Sequence, residues 1–130
     1  MTDKITDMLN RIKNAQAVDH KTVEMPFSKF KFEVAKVLEA NGFVGKVDKR
    51  GRKTKKVLEI VLKYHEDGEP AVSGFKKISK PGQRIYKSHN EIHRIKSGLG
   101  KSVVSTSKGL LTDDQVRFRK IGGEVLFNIW

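Results

Sequence analysis

Residues 27–64 read FSKFKFEVAKVLEANGFVGKVDKRGRKTKKVLEIVLKY, and within this stretch the apolar period changes from that of a helix to that of a strand. Ser28 has the chemistry of an N-cap, and Phe27 and Phe32 stand at the two positions of a hydrophobic staple. Phe30, Val34, Val37 and Leu38 then supply a buried stripe at helical spacing, and Asn41-Gly42 is a stop signal. Beyond it, Phe43 to Asp48 reads as a strand and Lys49-Arg50-Gly51-Arg52-Lys53 as a basic turn. Val57 to Tyr64 alternates, with Leu58, Ile60, Leu62 and Tyr64 on one face. A helix followed by a hairpin is an α+β arrangement.

Working outward toward the N-terminus, Ile5, Met8, Leu9 and Ile12 recur at steps of three and four and predict a helix with Asp3 as its N-cap. Thr22 to Pro26 is extended. Toward the C-terminus, His65-Glu66-Asp67-Gly68-Glu69-Pro70 is polar and contains Gly and Pro, as expected of a linker. Val72 to Ile78 is extended, Lys80-Pro81-Gly82-Gln83 is a turn, and Arg84-Ile85-Tyr86 begins another strand. Asn90 to Ile95 reads as a short helix, Ser102 to Thr106 as a β-branched strand followed by a glycine loop. Thr112 and Gln115 form a capping box for a helix that ends near Gly122-Gly123, and Val125 to Trp130 is a terminal strand.

The fold expected is therefore α+β with two small lobes. Residues 1–66 form an N-terminal helix-strand-helix-hairpin lobe, and residues 67–130 a mostly antiparallel β lobe with short helices.

Charge narrows the partner. The chain has 27 Lys and Arg against 15 Asp and Glu, a net charge of +12, which points to a polyanion. Residues 1–65 carry 15 basic and 8 acidic residues and residues 66–130 carry 12 and 7, so the excess belongs to both lobes and not to a tail. The bland alternative is a merely soluble cationic surface. Cysteine is absent, so no disulfide framework or cysteine-based zinc site is available. The first residues have no apolar signal core and no apolar run is long enough to span a bilayer, so a cytoplasmic protein without membrane association is expected.

Two enzyme-like patterns fail on their own geometry. Gly100-Lys101-Ser102 resembles the end of a phosphate-binding loop, but the required glycine five residues earlier is Ile95, and the segment runs into a strand. His89 and His93 are four apart, yet Glu91 is misplaced for a metalloprotease helix and no third ligand is near. No nucleophile elbow or cofactor loop is present. No catalytic residue, metal or cofactor is expected, and an RNA-modifying enzyme is the weaker rival.

The remaining signals suit RNA. Ser105-Thr106-Ser107-Lys108-Gly109 sets three hydroxyls and a lysine at a strand end. Hydroxyls donate and accept, so they can read ribose hydroxyls, base edges and phosphate oxygens, while Lys108 offers a mobile cation and Gly109 a tight return. The same composition also describes an ordinary turn. Arg84 and Tyr86 share one strand face, where a tyrosine among cations makes a stacking plane for a base, or else a core tyrosine. Glu124, after Gly122-Gly123, can accept from a base amino group or be a plain surface glutamate.

Taken in order along the chain, these motifs resemble the bacterial small-subunit ribosomal protein eight family, over essentially its whole length. The matching segments are Asp7-Met8-Leu9, Arg11-Ile12, Asn14-Ala15, Pro81-Gly82, Arg84-Ile85-Tyr86, Gly98-Leu99-Gly100, Val103 to Gly109, Thr112-Asp113 and Gly122 to Leu126. The chain departs from the family pattern at Lys4, Ile92-His93, Lys101 and Phe127, where a proline, a Leu-Pro pair, an apolar residue and a cysteine are usual.

The resemblance implies a protein that binds the central domain of 16S ribosomal RNA early in small-subunit assembly and lies beside other small-subunit proteins. In many members it also implies repression of a ribosomal-protein messenger RNA. By the same resemblance Ser105, Thr106, Ser107 and Lys108 are the main RNA contacts, supported by Tyr86, Lys87 and Glu124. Lys29, Lys31 and the basic hairpin Arg50 to Lys56, including Arg52 and Lys55, are expected on RNA backbone elsewhere. The rival binding class is a general nucleic-acid-binding, DNA-architectural module, distinguished by competition between structured RNA and duplex DNA.

Overall fold

The computed structural model describes residues 2–95 and 99–130, so Gly98 of the glycine motif lies outside the described residues. The chain forms two compact units, one built from Lys4–Val72 and the other mainly from Ser73–Trp130. The fold is α+β with antiparallel sheets, as the change of period requires.

The first unit runs α1 (Thr2–Ala17), β1 (Thr22–Pro26), α2 (Lys29–Ala40), β2 (Val44–Arg50) and β3 (Val57–Leu62), with its sheet in the order β1-β3-β2. The helix α1 begins at Thr2, so Asp3 lies inside it and is not its N-cap. Ile5, Met8, Leu9 and Ile12 are fully buried. In α2 the Ser28 hydroxyl accepts from the Lys31 N–H at 3.1 Å, and the Phe27 and Phe32 rings stand 5.8 Å apart. The helix closes in a Schellman motif. Gly42, at φ +80°, donates to Glu39 O, and Phe43 donates to Leu38 O. Its buried stripe is Lys31, Val34, Ala35 and Leu38, whereas Phe30 and Val37, expected in that stripe, are half-buried.

The strand β3 alternates as expected, burying Leu58, Ile60 and Leu62, and Arg50 pairs with Val57 across the hairpin. Residues 65–70 are folded back on themselves: Tyr64 bridges Pro70, and the His65 N–H donates to Glu69 O at 2.8 Å.

The second unit contains β4 (Phe75–Lys77), β5 (Tyr86–Lys87), β6 (Lys101–Thr106), β7 (Gly109–Thr112), α3 (Asp113–Arg119) and β8 (Gly123–Ile129), with a 3-10 turn at His89–Glu91. Its sheet runs β4-β8-β6-β7, and β5 also pairs with β8. Ile92, Val104, Leu111, Val116 and Val125 make its core, with Ile78 and Ile121 against it.

Three local expectations change here. The helix expected at 90–95 is only the 3-10 turn, and Ile92 is already extended. His89 and His93 therefore do not share a helical face. The segment 109–112, expected as a loop, is a strand because β6 supplies its partner, Val104 facing Leu111 and Thr106 facing Gly109. Helix α3 stops at Lys120, which takes the left-handed conformation at φ +56°, so Gly122-Gly123 is not its stop.

Candidate nucleic-acid interface

Three strands bring the sequence-predicted residues of the second unit together. Tyr86 on β5 is in register with Glu124 on β8, and Glu124 is in register with Ser105 on β6. Directly opposed residues of antiparallel strands point to the same side with Cβ atoms about 5 Å apart. Tyr86, Glu124 and Ser105 thus form one row across the sheet, and the β6–β7 turn rises at its end. The opposite face of the sheet carries Val104, Val125 and Leu111 into the core, which fixes the row outward.

Two glycines allow this approach. A Cβ on Gly123 would stand 2.2 Å from Ser105 O, and one on Gly122 would stand 2.5 Å from Lys87 O. Both are far inside van der Waals contact, so only glycine lets β5 and β6 close on this end of β8. Ser79, fully buried, adds a clamp. Its hydroxyl donates to Val125 O at 2.7 Å and accepts from the Ile85 N–H at 2.9 Å. That holds the two-residue strand β5 in register although it has few ladder bonds of its own. Neither Ser79 nor the glycines' packing role is announced by local spacing; the Gly-Gly pair beside a strand was the one available signal.

The turn 106–109 is shaped by Thr106. Its hydroxyl donates to Gly109 O at 2.7 Å and accepts from the Lys108 N–H at 3.0 Å. Gly109 takes φ +98°, a conformation that an L side chain rarely adopts. Ser107 and Lys108 are exposed as a result, while Ser105 and Thr106 are half-buried. The Thr106 hydroxyl organises the loop; the Ser107 hydroxyl and the Lys108 ammonium are presented to solvent.

Tyr86 is 67% exposed, although it stands on a strand. An aromatic ring left in water on a sheet face is available for stacking. Beside it, the Glu124 side chain retains 12% of its surface. Arg84 Nη1 approaches Glu124 Oε1 at 3.7 Å, and Glu124 Oε2 is buried without a hydrogen-bond partner among the described residues. Oε2 is therefore closed to a ligand, and what the carboxylate can offer one lies on the 12% of its surface that stays open beside Arg84. Lys87 is exposed, in register with Gly123.

The cations expected on the first unit divide. Arg52, Lys53, Lys55 and Lys56 are exposed on the β2–β3 turn, and Lys29 is exposed at the start of α2. Arg50 is engaged by Glu59 at 2.9 Å, and Lys49 lies over the Phe27 ring, 5.2 Å from its centroid. Lys31 is different: it retains only 9% of its surface. Burial, with Arg11 and Lys4 nearby and opposed by Asp7, lowers its pKa. Its side chain is largely covered within the first unit, so it offers less surface for the expected RNA backbone contact than Lys29 does.

Lys101, which departs from the family pattern, is engaged by Asp114, and Phe127 is fully buried. Among the described residues no cluster of His, Asp or Glu is placed to hold a metal ion, and no helix is long and apolar enough to cross a membrane.

Comparison with known proteins finds similarity along the whole chain. A family model described as ribosomal protein S8 matches residues 3–130. The small ribosomal subunit protein uS8 of Clostridioides difficile (strain 630) is 48% identical over 130 residues, covering 100% of this chain and 98% of that protein. The protein of the same name from Natranaerobius thermophilus is 49% identical, and that from Lysinibacillus sphaericus 46%, each over the same shares.

Proposed function

We propose, for a chain that belongs to the ribosomal protein S8 family and is therefore a structural, non-enzymatic constituent of the small ribosomal subunit in the cytoplasm, that its second unit binds the central domain of 16S ribosomal RNA and nucleates subunit assembly there. The observation that carries this reading is the Tyr86–Glu124–Ser105 row ending in the hydroxyl turn.

The row offers one exposed ring, a carboxylate that keeps 12% of its surface and short hydroxyls side by side. A carboxylate at its centre repels a continuous phosphate backbone and accepts from base amino groups or ribose hydroxyls. That favours an irregular RNA with splayed or unpaired nucleotides over a regular duplex, because the A-form major groove is closed to side chains. Tyr86 stacks on an exposed base, Glu124 and Ser105 read its edge or the adjoining ribose, and Ser107 with Lys108 holds the neighbouring phosphates. Lys29 and the turn cations Arg52 and Lys55 add salt-dependent attraction without sequence reading.

The same surface serves repression of a ribosomal-protein messenger RNA wherever that messenger folds into a similar irregular stem. Neighbouring small-subunit proteins are the remaining partners.

The test is binding of the full chain to a central-domain 16S fragment, to a scrambled RNA and to a DNA duplex at fixed salt. Tyr86→Ala and Glu124→Gln are expected to lower binding of the fragment at least tenfold and to leave the scrambled RNA unchanged. Equal affinity for the DNA duplex, or equal losses on both RNAs, overturns the proposal.

A further inference from the structure

We propose that Phe118 on α3 is a second stacking site, taking an unpaired nucleotide of the ribosomal RNA at a place separate from the Tyr86 row; this rests on the reading that the second unit binds RNA. Phe118 is 88% exposed. Its neighbour Val116 is fully buried among Val104, Leu111 and Val125. Two residues along a helix is about 200° of rotation, so the core side of α3 is satisfied without Phe118. The ring faces solvent as a consequence of the register and contributes nothing to packing.

The platform beneath it is stiff. The Asp113 carboxylate is buried and accepts from the Ser102 N–H at 3.0 Å, Arg117 Nη2 lies 3.0 Å from Asp113 Oδ2, and Arg117 Nη1 donates to Ile92 O at 3.2 Å. A short helix tied at these points loses little freedom when something stacks on it.

The electrostatics favour an anion-bearing ligand. Asp113 and Asp114 are the only carboxylates of this helix, and both are engaged, Asp114 by Lys101 and Arg117. Hydrogen bonding to Lys101, with Arg117 and Arg94 nearby, holds the Asp114 carboxyl below its usual range. Arg119 and Lys120 remain exposed with no partner among the described residues. The open hollow beside the ring, about 460 Å³, is lined by Asp114, Gln115, Phe118 and Arg119.

That lining decides between occupants. A protein anchor needs apolar walls around the buried ring, and here Phe118 is the one apolar residue. A nucleobase needs only the ring face, with a cation within reach of its phosphate and an amide for its edge. Arg119 and Gln115 supply these.

The test is chemical footprinting of 16S RNA in small subunits rebuilt with the wild-type chain, Phe118→Ala, Phe118→Tyr or Tyr86→Ala, together with a benzophenone crosslinker placed at position 118. Phe118→Ala should fold normally, expose unpaired bases distinct from those exposed by Tyr86→Ala, and weaken retention of the chain about fivefold. Phe118→Tyr should restore both. Unchanged protection in Phe118→Ala while Tyr86→Ala alters its own bases overturns this site and leaves the first interface standing. Silence from both variants overturns both. A crosslink from position 118 to a protein overturns the nucleotide assignment.

Discussion

Replacing Thr106 by valine removes one oxygen and leaves the shape of the side chain nearly intact, which makes it a sharp probe of how the interface is built. The lost oxygen serves two hydrogen bonds, one to Gly109 O at 2.7 Å and one from the Lys108 N–H at 3.0 Å. Each neutral bond is worth about 0.5–1.5 kcal/mol net. Both lie at a partly solvated turn where water can replace the partner, so the pair together contributes about 1–2 kcal/mol to holding the turn. This cost reappears on binding, because a loosened turn must be ordered again against RNA. It corresponds to about a 5- to 30-fold loss of affinity for the cognate fragment. Scrambled RNA, held by cations, should lose less than about twofold. Lys29→Ala should act in the opposite way, lowering both affinities alike and reducing the salt slope by about 0.7–0.9. Filter binding or calorimetry on the two RNAs, with a thermal melt to show the fold intact, decides between them. Thr106→Ser keeps the oxygen and should behave as wild type. Equal losses on both RNAs for Thr106→Val, or a serine variant as poor as the valine one, would refute the account of Thr106 as the organiser of the turn.

Three further outcomes are expected. Gly123→Ala places a methyl group where only 2.2 Å separates it from Ser105 O, so β8 and β6 must part; a loss of about 2 kcal/mol or more in denaturant unfolding should come with loss of cognate binding, and an unchanged midpoint would show that the approach is soft. Replacing Arg52, Lys53, Lys55 and Lys56 together by alanine should flatten the plot of log affinity against log salt by about 3 while leaving the preference for cognate RNA intact; a lost preference would assign sequence reading to the first unit. Asp114, held below the ordinary carboxylate value chiefly by its hydrogen bond to Lys101, contributes stability that is present above pH 3.8 and is lost as pH falls through its folded value; Lys101→Ala should move the Asp114 carboxyl resonance titration upward in NMR, and no movement would remove Lys101 as the cause.

How much of this was legible in the chain depends on the distance over which each constraint acts. The first unit is written locally. Ser28, Phe27 with Phe32, and Asn41-Gly42 are signals whose partners lie within five residues, so α2 and its ends follow from spacing. Lys31 was legible too: with Val34, Ala35 and Leu38 it occupies the stripe at steps of three and four, and its charge disguised a position that the period assigns to the interior. Its aliphatic stem packs as an apolar residue would. The misplaced start of α1 is a smaller matter, because Asp3 carries the chemistry of a cap wherever it stands.

The second unit is written across the sheet. Gly109 to Thr112 lacks a strand pattern and becomes one only because β6 lies alongside. Gly122-Gly123 has the composition of a helix stop, yet Lys120 closes α3 at φ +56°, and the two glycines answer instead to carbonyls of Lys87 and Ser105, more than 15 residues away in sequence. A local reading sees the residue type and assigns the nearest use. The interface shows the same division. The hydroxyl–lysine turn is contiguous and announces itself, while the row beside it is assembled from three strands, and the near-complete burial of the Glu124 side chain is defined entirely by what surrounds it. On the proposed reading, recognition of nucleic acid is assigned to the row where long-range pairing forces side chains outward, and attraction to the exposed cations of a hairpin that folds on its own local pattern. Because the two depend on different parts of the sequence, substitutions should change affinity and selectivity independently.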